Sequence, residues 1–263
     1  MPHARRPANR LSPWRAATAS VLVALALAGC ASDRNMTTGS VNRDGAAAGA
    51  TSVEALGQAY ARDAKNKSLS MRYAAALQAS GRADQSLAVM RKTAIDFPKD
   101  RDVLAAYGKA LAAAGELEPA LDAVRRAQTP EYPDWRLMSA EAAILDQLGQ
   151  SDNARQLYRR ALEQAPGEPT ILSNLGMSYV LEGDLRAAET YMRQAAQAPT
   201  ADSRVRQNLA LVVGLQGRFQ EAEKIAGQEL SPDQAQANVT YLRSMLAQQN
   251  AWSQLKKDDK KVN

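Results

Sequence analysis

The chain has 263 residues, with 33 Lys plus Arg against 28 Asp plus Glu and a formal net charge of +5. His3 is its one histidine and Cys30 its one cysteine. Once a leader carrying His3 is cleaved and Cys30 is acylated, no Cys/His or Ser/His nucleophile pair and no usual zinc ligand set can be assembled. The glycines are spaced for turns rather than for cradling phosphate, and the carboxylates lie scattered on helix faces. The sequence therefore points away from an enzyme, from a metal site and from any cofactor.

Residues 1–29 read as an address. Arg5, Arg6, Arg10 and Arg15 form a basic start without acids, and Ala16 to Ala28 is an apolar run too short to span a membrane comfortably. The run closes on Leu27-Ala28-Gly29-Cys30, which resembles a bacterial lipobox. That resemblance implies cleavage before Cys30 and acylation of its thiol and new amino group, with several acyl chains giving a stable anchor. The four arginines account for +4 of the +5, leaving about +1 on the mature chain. The basic balance is thus mostly signal peptide and carries no indication of nucleic acid. Ala31 and Ser32 follow the cysteine without an aspartate, a pattern that goes with the outer membrane in enteric bacteria.

Residues 30–51 comprise Cys30 and a stretch rich in Ala, Gly, Ser, Thr and Asn, which reads as a flexible tether. An amphipathic helix follows within 52–66, with Val53, Leu56 and Tyr60 on one face; it is expected to be a half-unit covering the open end of an array. Glycines then recur at Gly81, Gly115, Gly149, Gly183 and Gly217, each 34 residues from the last. Four further hits from one start arise by chance about once in 40,000. Small residues keep step at Ser86, Ala120, Ala154, Ala188 and Ala222, and at Ala74, Gly108, Ala142, Gly176 and Ala210. Each unit reads as two amphipathic helices, as in the face Leu172, Leu175, Gly176, Tyr179 and Val180. The glycine is expected to end the first helix in a left-handed conformation, and the small columns to let the helices cross closely.

This period and these columns are the signature of a tetratricopeptide array. The resemblance implies an all-α fold, a right-handed superhelical solenoid of helix pairs. The units are 67–100, 101–134, 135–168, 169–202 and 203–236 within an array over 52–249. Thr129-Pro130-Glu131-Tyr132-Pro133-Asp134-Trp135 replaces a simple helix stop, as a stiff turn or as a contact loop. Glu141 stands where the repeat usually places a large apolar residue, either meeting a partner in the groove or reaching the surface beside a tilted helix. Ser231-Pro232-Asp233-Gln234 is a capping-box arrangement. It opens a cap helix over 232–249 with Val239, Leu242, Met245 and Leu246 on one face. The charged tail 250–263 is expected to be disordered.

In this family the first helix of each unit lines a concave groove for a peptide or helix of a partner. Carried onto this register, the groove candidates are Met71, Lys109, Ser139, Asp146, Asn174, Met177, Gln207, Asn208 and Leu211. Asn174 and Asn208 match an asparagine that either bonds a partner's backbone or only orders neighbouring helices.

Longer phrases carry a narrower resemblance. Asp134-Trp135-Arg136, Ser139-Ala140-Glu141-Ala142-Ala143 and Leu145-Asp146-Gln147-Leu148-Gly149 resemble the middle of TadD-type proteins of the tight-adherence (Flp) pilus assembly system. So do Val205-Arg206-Gln207-Asn208-Leu209-Ala210-Leu211, Gly214-Leu215-Gln216-Gly217-Arg218-Phe219 and the run from Asn238 to Leu246. The resemblance implies a lipoprotein on the periplasmic face of the outer membrane that helps build a pilus machine. Its partner would be the secretin or another assembly subunit. The alternative is a repeat lipoprotein acting as a scaffold in outer-membrane protein or envelope assembly.

Overall fold

A computed structural model describes residues 43–262, apart from Pro130 and Tyr132. The signal peptide, Cys30 with its lipobox, and the tether as far as residue 42 lie outside the described residues, as do those two positions of the irregular loop. The described residues form twelve helices and no strand. They are α1 Arg43–Arg62, α2 Lys67–Ala79, α3 Ala83–Asp96, α4 Arg101–Ala113, α5 Leu117–Ala127 and α6 Trp135–Gln147. The series continues with α7 Ser151–Gln164, α8 Pro169–Glu182, α9 Leu185–Gln197, α10 Ser203–Leu215, α11 Phe219–Ala226 and α12 Pro232–Val262.

A cap residue at one repeat position starts each first helix. Asn66, Asp100, Asp134, Glu168 and Asp202 accept, respectively, from the backbone N–H of Leu69, Val103, Arg136, Thr170 and Val205. Each bond satisfies one of the amide donors that a helix N-terminus leaves unpaired. The periodic glycines end the same helices with φ between +74° and +88°. Gly167, outside that series, also has φ +74°, in the turn that leads into α8. Ser231 and Gln234 make the reciprocal capping box at the head of α12: Ser231 N donates to Gln234 Oε1 at 3.2 Å and Gln234 N to Ser231 Oγ at 3.4 Å.

The chain divides into two units at Ala120/Leu121, inside α5. In the first, Ala74, Leu77, Leu87, Met90, Val103, Leu104 and Leu111 are buried. The small columns meet there: Ser86 Oγ donates to the Ala74 carbonyl at 2.8 Å. Tyr60 of α1 and Tyr73 of α2 bring their rings to 5.4 Å, so α1 packs against α2.

In the second unit each buried cluster is shared by successive helices. Met138, Ala142 and Leu145 of α6 join Ala154, Tyr158 and Ala161 of α7 and Ile171 and Leu175 of α8. Val180, Ala188, Met192, Leu209, Val212, Val213, Ala222 and Val239 carry the core on through α12. A lone helix pair leaves an apolar face to water, and stacking removes it. At Gly176 an added Cβ would stand 3.0 Å from Met192 Cε and 3.1 Å from the Ala188 carbonyl oxygen, so this crossing requires the absence of a side chain.

Two expectations need correction. Residues 43–51, read as tether, are the first turns of α1. The run Ala46-Ala47-Ala48 lies there, and alanine has the highest intrinsic helix preference, which outweighs the flanking glycines. The tail after 249 is helical through Val262; no Pro or Gly occurs after Pro232 to stop the helix. The second helix of the fifth unit ends at Ala226, and α12 starts at Pro232.

Candidate functional site

The site is built on the first helices of the second unit, α6, α8 and α10, which pack side by side in that order. Three side-chain bonds set their register. Asn174 Nδ2 donates to Ser139 Oγ at 3.2 Å, and one helix further on Asn208 Nδ2 donates to Ser173 Oγ at 3.1 Å. Ser178 Oγ donates to Asp146 Oδ1 at 2.8 Å. A ladder of this kind fixes the spacing of the helices while leaving the apolar residues between its rungs to shape the surface.

Asp146 is the most constrained of these groups. Besides Ser178 on α8 it interacts with Ser151 and Tyr158 on α7, so one carboxylate ties three helices. Burial raises its pKa above the ordinary carboxylate range, with the hydroxyl bonds opposing that shift. Burial also pushes the Tyr158 hydroxyl well above the usual phenol range, and the Asp146 charge adds to it.

The sequence-derived groove candidates therefore separate into two kinds. Ser139 is only 5% exposed and engaged with Asn174, so it is a rung rather than a contact residue. Asn174, Asn208 and Asp146 are half-buried with side chains already bonded inside the chain, which is the ordering role of the asparagine rather than partner capture. Met177 and Leu211 are half-buried, and Met177 rests against the Val180 and Met192 cluster. Gln207 is exposed, its amide donating to Ser203 Oγ at 2.9 Å within α10. Met71, half-buried on α2, and exposed Lys109 on α4 belong to the first unit.

Glu141 corrects both readings made of it. Its side chain, 12% exposed, accepts from Arg125 Nε at 2.8 Å and from Gln128 Nε2 at 2.9 Å. It points neither into a groove nor freely to solvent. An acid at this apolar position is tolerated because both oxygens have donors from the end of the preceding helix and beyond.

Sequence reasoning missed the serine partners. Ser139/Asn174 and Ser173/Asn208 are each pairs 35 residues apart, a coincidence that a search one residue off the repeat period would have found. It also missed Leu181, half-buried one turn beyond Met177 on the same side of α8. The ladder with Met177, Leu181 and Leu211 is a rigid, partly apolar strip suited to an amphipathic segment. Among the described residues no group of three or more His, Cys, Asp or Glu could hold a metal ion. No described helix is long and apolar enough to cross a membrane.

Two sequence models of the tetratricopeptide repeat match the chain, over residues 118–169 and 147–212. A search of curated proteins found no match. Among solved structures, the fold is similar to that of PilW, described as a widely conserved type IV pilus biogenesis factor. That match has a TM-score of 0.59 and 17% identity, covering 91% of this chain and 100% of PilW. A tetratricopeptide repeat protein from Parabacteroides merdae superposes with a TM-score of 0.66 at 11% identity, over 76% of this chain and 80% of that one. A thermophilic protein of the same repeat from Thermus thermophilus gives 0.58 at 21% identity, over 67% and 98%. At these identities the likeness is one of fold.

Proposed function

We propose that this chain, a tetratricopeptide-repeat protein, is a lipid-anchored scaffold for Tad/Flp pilus biogenesis that binds a segment of the secretin in the manner of a pilotin. The observation that carries the binding half is the first-helix strip. Its polar rungs are satisfied internally, so Met177, Leu181 and Leu211 present an apolar surface that is held in place before a partner arrives. Preorganised surfaces lose less entropy on binding than mobile ones. Methionine adds adaptability, because its unbranched thioether fills irregular gaps.

The pilus half rests on the sequence phrases shared with TadD-type proteins between Asp134 and Leu246. The fold shared with a type IV pilus biogenesis factor is consistent with it. The anchor rests on Leu27-Ala28-Gly29-Cys30. In this reading the acylated cysteine holds the chain on the periplasmic face of the outer membrane, and the strip carries the secretin segment there. Cys30→Ser should move the protein from the membrane to the soluble periplasmic fraction; retention in membranes would count against the anchor.

A photo-crosslinking residue at Met177 or Leu211 tests the strip directly. Crosslinks to the secretin from these positions, and none from exposed Arg160 on α7, are the expected result. Crosslinks to outer-membrane assembly proteins instead would favour the envelope-scaffold alternative.

A further inference from the structure

The last helix outruns the helices it packs on. α12 has 31 residues, against 13 in α10 and 8 in α11. At about 1.5 Å per residue it is roughly 46 Å long, beside about 20 Å and about 12 Å. Ala235, Val239 and Leu242 are buried against those two helices, and Leu246 is half-buried. A helix of a dozen residues with nothing beside it is marginal in water, so the length of α12 calls for a further neighbour.

A second set of positions lies about a third of a turn round from the packed ones. Asn238, Tyr241, Met245 and Gln248 follow one another at intervals of three, four and three residues, and in the sequence the alternation runs on to Trp252 and Leu255. That is the 3.5-residue interval of a coiled-coil seam. Tyr241 is 59% exposed, Asn238 and Gln248 are exposed, and Met245 is half-buried. From Gln234 to Gln249 the one charged residue is Arg243, whose guanidinium lies 4.7 Å from the Phe219 ring. A helix face that only meets solvent carries charges, whereas loss of charge around an exposed tyrosine is the composition of an interface core.

We propose that this face pairs with the same face of a second copy of the chain, the two α12 helices running antiparallel. Charge selects the occupant and the direction. Lys256, Lys257, Lys260 and Lys261 crowd one end of the helix around Asp258 and Asp259. The other end carries exposed Asp233 and, beside Pro232 on the rim of one open cavity, exposed Glu223 of α11. Parallel pairing sets lysines against lysines. Antiparallel pairing sets each basic end at the level of the other copy's acidic end and lays neutral middle on neutral middle. The register follows from the seam. With Met245 at the level of Gln248 of the second copy, Tyr241 comes level with Trp252, Asn238 with Leu255 and Asp233 with Lys260. A two-fold contact of this kind is self-complementary and closed.

The test is crosslinking in whole cells with a short bis-maleimide, followed by sedimentation of the detergent-solubilised full chain. The parent chain is the control for any thiol at Cys30. Gln248→Cys, close to the two-fold axis, should give a crosslinked dimer by itself. Asn238→Cys and Leu255→Cys should each stay uncrosslinked alone and crosslink to one another when co-expressed. In sedimentation the parent should be a dimer, and Tyr241→Lys should raise its dissociation constant at least about tenfold, with thermal unfolding unchanged because Tyr241 is exposed. A parent that sediments as a monomer would overturn the proposal. So would self-crosslinking of Asn238→Cys, which marks parallel pairing, crosslinks from Gln248→Cys to another protein alone, or an unchanged dissociation constant in Tyr241→Lys.

Discussion

Replacing Gly149 by valine isolates the turn between the two helices of the third repeat. Its φ of +75° lies in the left-handed region, and a Cβ built there meets nothing within 4 Å. Cavity and clash contributions are therefore absent, and what remains is backbone strain, about 1–2 kcal/mol for an L-residue with a branched side chain at the upper end. The turn cannot relax freely, because Gly149 N donates to the Asp146 carbonyl at 3.0 Å and Gln150 N to the Leu145 carbonyl at 2.8 Å. Urea unfolding of the mature domain should show Gly149→Val with a lower midpoint, a loss of about 1–2 kcal/mol and an unchanged slope. Gly149→Asn should lose less, since asparagine tolerates the left-handed region by bonding locally. An unchanged midpoint for valine, or asparagine as costly as valine, would refute the assignment of strain to this turn.

Three more outcomes follow from particular contacts. Glu189 accepts from Arg218, Gln216 and Arg193, and the Arg218 bonds foremost hold its carboxyl down from 4.5 to about 2. A depressed acid stabilises the fold above its unfolded pKa and loses that contribution as pH falls through the folded value. Glu189→Gln should therefore cost about 1–2 kcal/mol at neutral pH, a figure reduced for solvent screening, with the gap to the parent closing between pH 4.5 and about 2 in acid-unfolding curves. At Glu141 the two substitutions should diverge. Glu141→Leu restores the usual apolar residue beside an Arg125 that can turn to water, and should change stability by less than about 1 kcal/mol, whereas Glu141→Ala should lose about 1–3 kcal/mol in the same unfolding assay. At Gly214 an added Cβ would stand 2.5 Å from Leu242 Cδ2, so Gly214→Val should push α12 off α10 and raise amide exchange in residues 235–249 selectively.

The repeat was legible because backbone geometry made it so. A left-handed turn every 34 residues needs glycine, and crossings need small side chains, so Gly81 through Gly217 and Ser86 through Ala222 advertise themselves. The capping residues Asn66, Asp100, Asp134, Glu168 and Asp202 share that period but not one residue type, which hid them as a set. The capping box at Ser231 was readable because its two partners are three residues apart in the sequence. Glu141 was not, because its donors, Arg125 and Gln128, are contributed by the preceding repeat and the irregular segment after it. The extents of α1 and α12 were misjudged for another reason: Ala-rich and Lys-rich stretches satisfy both a linker and a helix, and only continuity with the packed part selects between them. In the candidate site, period could not tell that Asn174 bonds Ser139 and Asn208 bonds Ser173, because each partner lies one residue off the repeat spacing.

The most direct test of the functional account is the state of the cognate secretin in cells lacking this protein, read as detergent-resistant multimers in fractionated membranes. Loss of those multimers from the outer membrane, restored by the parent chain but not by one carrying charged residues at Met177 and Leu211, is the predicted result. Normal secretin multimers together with normal pili on the cell surface would contradict it.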